Sequence, residues 1–515
     1  MLPALPLLAL LSAAAPADDT AVREVTILYT NDFHSAFDPI PAYWLPVAPL
    51  LGGAAHLATL VDRIRSREKP VFLFDTGDMF TGMLSNLTRG EALMEMMRAM
   101  AYDAMAIGNH EFDYGAENFL RQMNGVPFPV LGANIFYKGT DHPYSRPYVI
   151  LEKEGVRLGV IGIIGEDARS VALPSGITNL DFRDPVPIVR ALVADLRDRV
   201  DLVVVLAHQG KTGPMQTDAE ARPEVQRDFD EDVRLCGEVL GIDVLVGGHA
   251  HRGIEPLFVH PVTGTRIVQT YGYGTRLGYL KLRLEGRRVA SYQAELLKVW
   301  TNENPPDAGL ARRIEAYRKQ YEKQIGQVLG RSKARLVRDY RAESSLGDFV
   351  ADVMREATGA AVAVQNAGGL RADIPEGEVT NGHVLDALPF LNTVVEVDLT
   401  GAQLREILEQ GLTLERGLIQ TSGLRGTYDL SRPAGRRLVS IEVAGAPLAD
   451  ARVYRVATNS FVAEGGDLYT TFLRTTPRDS ARSLADVVMD AFRKAGEVSP
   501  PRGGRFAPVA RRSAP

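Results

Sequence analysis

Short apolar runs, each cut off by Gly, Asn, Asp or His, recur along this chain and narrow the folds open to it. They are VTILYT (25–30), VFLFDT (71–76), LGVIGII (158–164), LVVVLA (202–207) and DVLVGG (243–248). Continuous apolar runs of this length suit strands buried on both faces. Helix-like stretches lie between several of them, at 53–65 and 91–101. This alternation predicts an α/β layered domain with largely buried strands. In such sheets, ligands bind at the carboxyl ends of the strands, so the residues just past each run carry the chemistry.

After VTILYT come Asn31, Asp32 and His34, and after VFLF come Asp75, Gly77 and Asp78. After AMAIG come Asn109 and His110, after LVVVLA comes His208, and after DVLVGG come His249 and His251. Five of the nine histidines therefore sit at strand ends. One His there is usually a satisfied loop or core residue, but scattered placement does not produce the whole set. Asp, Asn and neutral imidazole suit divalent ions such as Zn, Mn, Fe or Co. Seven such side chains exceed one tetrahedral ion. With one bridging carboxylate they suit two metals about 3.5–4 Å apart, which can clamp both oxygens of a phosphoryl displacement.

A chain of 515 residues is too long for one ordinary domain. Composition shifts at TNENPPDAG, a polar linker from residue 301, which leads into the charged amphipathic helix LARRIEAYRKQYEKQIG. A second mixed α/β unit is expected over 328–508, after a first unit over 24–300 and a linker with helix over 301–327. The segment 509–515 reads as a loose tail. At the other end, an apolar run and Ala15-Pro16-Ala17 read as a signal peptide over residues 1–17. No later segment has the roughly 18 apolar residues of a membrane helix. The single Cys236 permits no internal disulfide. Together these suit a periplasmic or secreted bacterial protein without stable membrane insertion. The net charge of −6 gives no general attraction to a nucleic acid polymer.

The second unit has its own blocks. QNAGGLRADIPEG supplies Asn366 and Arg371 around a Gly pair, where backbone and guanidinium can approach an anion. Phe390 and Asn392 lie in ALPFLNTV, and Phe461 precedes Gly465-Gly466-Asp467. Two rings from separate loops could hold a flat base, worth about 1–3 kcal/mol per stacked base. An Asp carboxylate can accept hydrogen bonds from ribose hydroxyls.

The blocks TNDFH, DTGD, GNHEFD, AHQG and GGHAH resemble, in order, the five signature blocks of calcineurin-like dinuclear metallophosphatases. Nearly the whole mature chain resembles the bacterial secreted 5′-nucleotidases, a family that includes UDP-sugar hydrolases and 2′,3′-cyclic nucleotide phosphodiesterases. The resemblance implies a four-layer α/β/β/α sandwich, then a linker helix and a C-terminal α/β substrate-binding domain that rotates on a hinge starting at 302–309. It implies two divalent metals, with Mn, Zn or Co expected. Asp32, His34 and His251 would hold the first, Asn109, His208 and His249 the second, and Asp78 would bridge them. His110 would face the substrate with Asp113 aiming it, and Glu111 would stay outside the ligand set. Phe390 and Phe461 would sandwich the base, Asn392 contact it, Asp467 hold the ribose, and Arg371 with Asn366 contact phosphate or ribose. Three positions depart from the pattern. Ser35 stands where Gly is common, His251 ends the last block where some relatives carry another polar residue, and Tyr340 stands where an Arg is expected, with Arg338 and Arg341 near it.

The implied activity is hydrolysis of nucleoside 5′-phosphates, and of nucleotide sugars, by a hydroxide that two metals activate. The partner is then a small-molecule nucleotide, and the chain a monomer or weak dimer. The alternatives are a 2′,3′-cyclic nucleotide phosphodiesterase with 3′-nucleotidase activity, a thiosulfate-ester hydrolase, and a nucleotide-binding protein without turnover. A sulfate-bearing thiol needs no base sandwich, and a mere binder would have lost a ligand or His110.

Overall fold

The computed structural model describes residues 22–42, 47, 49–211 and 230–509. The expected signal peptide (1–17) and all but the first residue of the expected tail lie outside them. Two six-stranded sheets form the first unit. One runs Arg288–Lys298, Arg276–Glu285, Val22–Thr30, Val71–Asp75, Ala104–Ala106, Val130–Leu131. Its last four strands are parallel. The other runs Phe258–Val259, Arg266–Val268, Val244–Gly247, Leu202–His208, Val156–Ile164, Tyr148–Lys153, with its four middle strands parallel.

Strand alternation sorts the side chains into layers. Ile27, Tyr29, Phe72 and Phe74 point inward and meet Leu158, Val160, Val204 and Val246 of the other sheet. Leu28, Leu73 and Met105 point the other way, onto Leu57, Val61, Leu93 and Phe119 of the outer helices. Ile161, Val203, Val205 and Leu245 do the same for the second sheet, against Val189, Val193 and Leu235. The result is the expected α/β/β/α sandwich. Gly162 explains how closely the sheets approach, since a Cβ there would lie 2.4 Å from the Leu131 Cβ. All the parallel strands point their carboxyl ends to one edge, where the polar residues that end the runs collect.

The C-terminal unit centres on a five-stranded mixed sheet, Gln420–Ser422, Val362–Gln365, Val453–Asn459, Thr393–Thr400, Arg478–Ser483. Ala363, Val394 and Ala457 face the helices Ser345–Thr358 and Leu484–Ala495. Val362, Val364 and Val397 face the helix Gly401–Gly411. Among the described residues no helix is long and apolar enough to cross a membrane.

The linker helix spans Ala308–Ile325, and Asp307 caps it by accepting from the Leu310 N–H at 2.7 Å. The expected loose start is instead pinned to the first unit. His56 Nδ1 donates to the Asn304 carbonyl at 2.6 Å, and Thr59 Oγ1 donates to the Pro305 carbonyl at 2.6 Å. Further along, Arg313 and Tyr317 both bond Glu95, each at 2.6 Å. The helix therefore rides on the first unit, and the second unit begins to hold the chain only at its end. There Asn381 bonds the carbonyls of Gln324 and Gln327. Met83 and Leu87 of the short helix Met83–Thr88 pack against the cores of both units at the same place.

Candidate active site

The structure brings the seven expected ligands together at one sheet edge. Ligand atoms of Asp32, His34, Asp78 and His251 all lie within 4.8 Å of one another, as do those of Asp78, His208 and His249. Asp78 belongs to both groups, the position a bridging carboxylate would hold. Asn109 completes the second group, with Oδ1 3.2 Å from His208 Nε2. All seven are buried.

The His208 and His34 rings are held by their far side. His208 Nδ1 donates to the Thr76 carbonyl at 2.7 Å, which turns Nε2 toward Asp78 Oδ1 at 3.3 Å. His34 Nδ1 lies 3.3 Å from the Phe80 carbonyl. Its Nε2 faces His251 Nε2 at 3.0 Å, so two buried imidazoles aim at one point. Asp32 accepts the His249 backbone N–H on both oxygens, at 3.1 and 2.9 Å, and the Asn31 amide at 2.7 Å. The strand-end loops are also tight. Asp32, His34, Asp78, His249 and His251, five of the seven, have left-handed φ between 46° and 70°. Such non-Gly backbone costs about 1–3 kcal/mol each and collects where a site needs it. Ser35 shares this conformation at φ 55°, which is why Gly suits that position.

The electrostatics call for positive charge. Burial opposes ionisation of Asp78, but His208, His110 and His34 outweigh it and hold the carboxyl well below its ordinary range. Burial likewise opposes protonation of His208, yet Asp78 and Asp32 push it up to about 10. His34, by burial and by Arg371, is held well below its usual value. Buried carboxylates that recruit a proton onto a neighbouring imidazole are a donor set that fits divalent cations.

Glu111 is not a ligand. Its carboxylate accepts four backbone N–H groups, from Asp78, Met79, Phe80 and Gly108, at 2.8–3.3 Å. It therefore shapes the loop that carries Asp78. Asp75 has a similar duty, accepting from Thr30 Oγ1 and the Gly77 N–H. His56 and His383 bond nearby backbone, His260 accepts from its own turn, and His142 stacks on Tyr137, so the remaining histidines have structural partners.

His110 Nδ1 donates to Asp113, 3.1 and 3.0 Å from its two oxygens, and the His110 backbone N–H donates to Asp78 Oδ1 at 2.9 Å. Burial works against protonating this ring, but Asp113 and Asp78 outweigh it and raise its pKa. The imidazole lies against Phe390 of the second unit, with centroids 5.6 Å apart and planes tilted by 26°. All six expected substrate residues, Asn366, Arg371, Phe390, Asn392, Phe461 and Asp467, line the same cleft as Asp78, Asn109, His110, His249 and His251. The cleft encloses about 920 Å³ of empty space, part of it open solvent.

Two of these six already have work within the fold. Asn366 donates to Asp467 Oδ2 at 2.6 Å and accepts from Asn459 and Gln365 at 2.9 and 3.0 Å. It thus holds Asp467, whose own backbone is left-handed at φ 53°. The Phe461 ring lies over Gly466, where a Cβ would come within 2.5 Å of it. Arg371 is different. Its guanidinium lies 5.6 Å from the Phe390 centroid, and its Nε and Nη2 are buried without a hydrogen-bond partner. Buried donors of this kind call for a ligand.

Sequence reasoning missed Asp167 and Arg416. Asp167 Oδ2 bonds His249 Nε2 at 3.0 Å, and Arg416 from the second unit bonds Asp167 Oδ1 at 2.6 Å. Tyr340, where an Arg was expected, lines the cleft with Arg338 and Arg416.

The calcineurin-like phosphoesterase family model matches residues 25–253, and the 5′-nucleotidase C-terminal domain model matches 324–474. The trifunctional nucleotide phosphoesterase protein YfkN of Bacillus subtilis is 29% identical over 94% of this chain, which spans only 35% of that protein's length. The 5′-nucleotidase of Bos taurus is 30% identical over 90% of this chain and 87% of its own. The crystal structure of a 5′-nucleotidase precursor from Thermus thermophilus superposes with a TM-score of 0.82, at 31% identity, over 96% of this chain and all of that one. With both domain models matched in order, and the Bos taurus relative and the Thermus thermophilus structure aligned over most or all of their lengths, the chain belongs to the 5′-nucleotidase family, phosphoric monoester hydrolases built on a calcineurin-like phosphoesterase domain.

Proposed function

We propose that this chain hydrolyses nucleoside 5′-phosphates, with nucleotide sugars as further substrates, to release nucleoside and phosphate. The observation that carries the reading is that the buried Asp/His/Asn cluster and the Arg371–Phe390–Asp467 wall line one cleft. Asp32, His34 and His251 would hold one divalent cation, Asn109, His208 and His249 a second, with Asp78 shared; Mn, Zn or Co suits these donors. Such a pair supplies Lewis acidity toward phosphoryl oxygens and a nucleophile at neutral pH. Uncatalysed phosphate-ester hydrolysis needs up to about 10²¹-fold acceleration, whereas one acid or base supplies only about 10²–10⁴.

The chain's own residues do the rest. Asp113 accepts a hydrogen bond from His110 Nδ1–H, so Nε2 is the nitrogen left for the substrate, to bond a phosphoryl oxygen or pass a proton to the leaving oxygen. Arg371 offers its unpaired donors to phosphate or ribose, a bidentate match for an anion. Phe390 and Phe461 hold the base, Asn392 touches it, and Asp467, fixed by Asn366, accepts from the ribose hydroxyls. The apolar run and small-residue site of residues 1–17 support export, and nothing in the mechanism needs more than one copy of the chain.

The test is metal-dependent phosphate release. The purified chain is stripped with chelator, restored with Mn, Zn, Co or Mg singly, and offered 5′-AMP, 3′-AMP, 2′,3′-cyclic AMP and a UDP-sugar. Turnover of 5′-AMP that is lost on stripping and restored by one ion supports the reading. Turnover confined to the cyclic and 3′ substrates refutes it in favour of a cyclic nucleotide phosphodiesterase.

A further inference from the structure

Asp167 lies in the first turn of the helix Glu166–Val171, directly after the strand Val156–Ile164. It therefore sits at the same carboxyl edge as the metal-ligand cluster. Its two oxygens go to different units. Oδ2 bonds His249 Nε2 at 3.0 Å, and Oδ1 accepts from Arg416 Nη2 at 2.6 Å. A metal-ligating imidazole commonly has its other nitrogen held by a carboxylate, which fixes its tautomer and ring direction and raises its basicity. Here the carboxylate that does this is itself gripped from across the domain boundary.

Arg416 is built for that contact. It is only 4% exposed, and its Nε is buried with no hydrogen-bond partner. The next residue, Gly417, has φ 80°, and a Cβ there would come within 2.7 Å of the Tyr340 carbonyl, so the loop is locked onto its own unit. The helix that carries Asp167 packs against the turn Gly466–Leu468 that carries Asp467. Separation of the units would break the ion pair and return both groups to water.

We propose that Asp167 and Arg416 form a positioning pair, through which seating of the second domain fixes the direction of His249. The inference rests on the two-metal reading above. Neither residue touches the reacting atoms. Asp167 aims a ligand, and Arg416 makes that aim conditional on the closed arrangement, coupling the nucleotide-binding half to the order of one metal position.

The test is Mn²⁺ binding to the chelator-stripped full chain by isothermal titration, with thermal melts to confirm folding, for wild type, Asp167→Ala, Asp167→Asn, Arg416→Met and Arg416→Lys. Wild type is expected to take two ions. Asp167→Ala should weaken one of them by about 10–100-fold, the range for removing the carboxylate behind a ligating His, and leave the other unchanged. Asp167→Asn, which keeps the shape, should weaken the same ion less. Arg416→Met should weaken that ion again, and Arg416→Lys should recover part of the loss. A merely structural role would lower the melting temperature without selecting one ion. Two ions in wild type with unaltered affinities in the Asp167 or Arg416→Met variants would overturn the positioning pair and leave the two-metal reading standing. Fewer than two ions in wild type would overturn the two-metal reading, and the pair with it.

Discussion

Replacing Asn366 with Ala tests the second unit's role in binding without touching a metal ligand. Its amide makes three side-chain bonds, at 2.6 Å to Asp467, 2.9 Å from Asn459 and 3.0 Å from Gln365. Asn459 and Gln365 keep other acceptors, the Gln365 Oε1 and the Asn366 backbone carbonyl, so their loss adds about 1 kcal/mol. The bond to Asp467 is charge-assisted and worth about 1.5–3 kcal/mol. Asp467 is also held in left-handed backbone, which leaves it free to relax once the bond is gone. The sum is about 2–4 kcal/mol, and at about 2–4 °C per kcal/mol for a domain of this size it should lower the C-terminal transition by about 4–16 °C. Calorimetry reads this directly. The same variant should raise KM for 5′-AMP and leave a small aryl phosphate, which has no ribose, near its wild-type kcat/KM. An unmoved C-terminal transition with an unmoved nucleotide KM would refute the reasoning, and equal losses on both substrates would refute the assignment of Asp467 to ribose.

Other perturbations separate the parts of the site from the fold. Phe390→Ala removes one base-stacking ring, so KM for 5′-AMP should rise by about 5–150-fold, from about 1–3 kcal/mol per stacked base. Steady-state kinetics should show the aryl phosphate largely spared; its equal impairment would make the stack on His110, and not base binding, the main role of Phe390. Burial pushes the Asp348 carboxyl up to about 8, with Arg505 opposing and Glu343 and Asp352 adding to the rise. A pKa raised above the unfolded value of about 3.9 means stability that is full at acid pH and lost as pH climbs toward 8. Asp348→Asn cannot ionise, so its melting temperature should gain on wild type between pH 5 and pH 9, and a constant difference would contradict the assignment. Gly162→Ala should lower the first unit's melting transition, because its Cβ would stand 2.4 Å from the Leu131 Cβ and 2.7 Å from the Leu131 carbonyl oxygen. Overpacking of that kind costs about 1–3 kcal/mol, and an unchanged transition would mean the two sheets are looser than drawn.

Most of the first unit was legible because burial on both faces leaves a strand almost no polar residues except at its end. Asp32, His34, Asp78, Asn109, His208, His249 and His251 stood out by that contrast together with Asn31, Asp75 and His110, and the family resemblance sorted the ligands from the rest. The same logic reaches Asp167, since LGVIGII runs straight into Gly165-Glu166-Asp167. It passed unnoticed because an acid opening a helix is ordinary on its own. Arg416 had no comparable signal. Its partner lies 249 residues away in the other unit, and no local pattern encodes that distance. Asn366 was legible as a polar residue beside glycines, but its hold on Asp467 depends on two loops 101 residues apart. The pinned linker start was misread for a related reason, because Asn304, Pro305 and Pro306 look loose until His56 and Thr59 are seen bonding to that segment.

The two ends of the domain boundary are made of different material. At the end of the linker helix the contact is largely apolar, with Met83 and Leu87 shared by both cores and Ile325 against Gly382, beside the Asn381 bonds to Gln324 and Gln327. At the cleft it includes directional polar bonds, Arg416 on Asp167 and the Ser175 N–H on Glu464. Apolar contact is non-directional, so it tolerates sliding. Hydrogen bonds are directional and either seat or let go. If the units turn on one another, the first end would act as a greased bearing and the second as a detent that seats in one position. Parting the units at the cleft would exchange the Arg416–Asp167 and Ser175–Glu464 bonds for bonds to water, while the oily grip at the other end would hold.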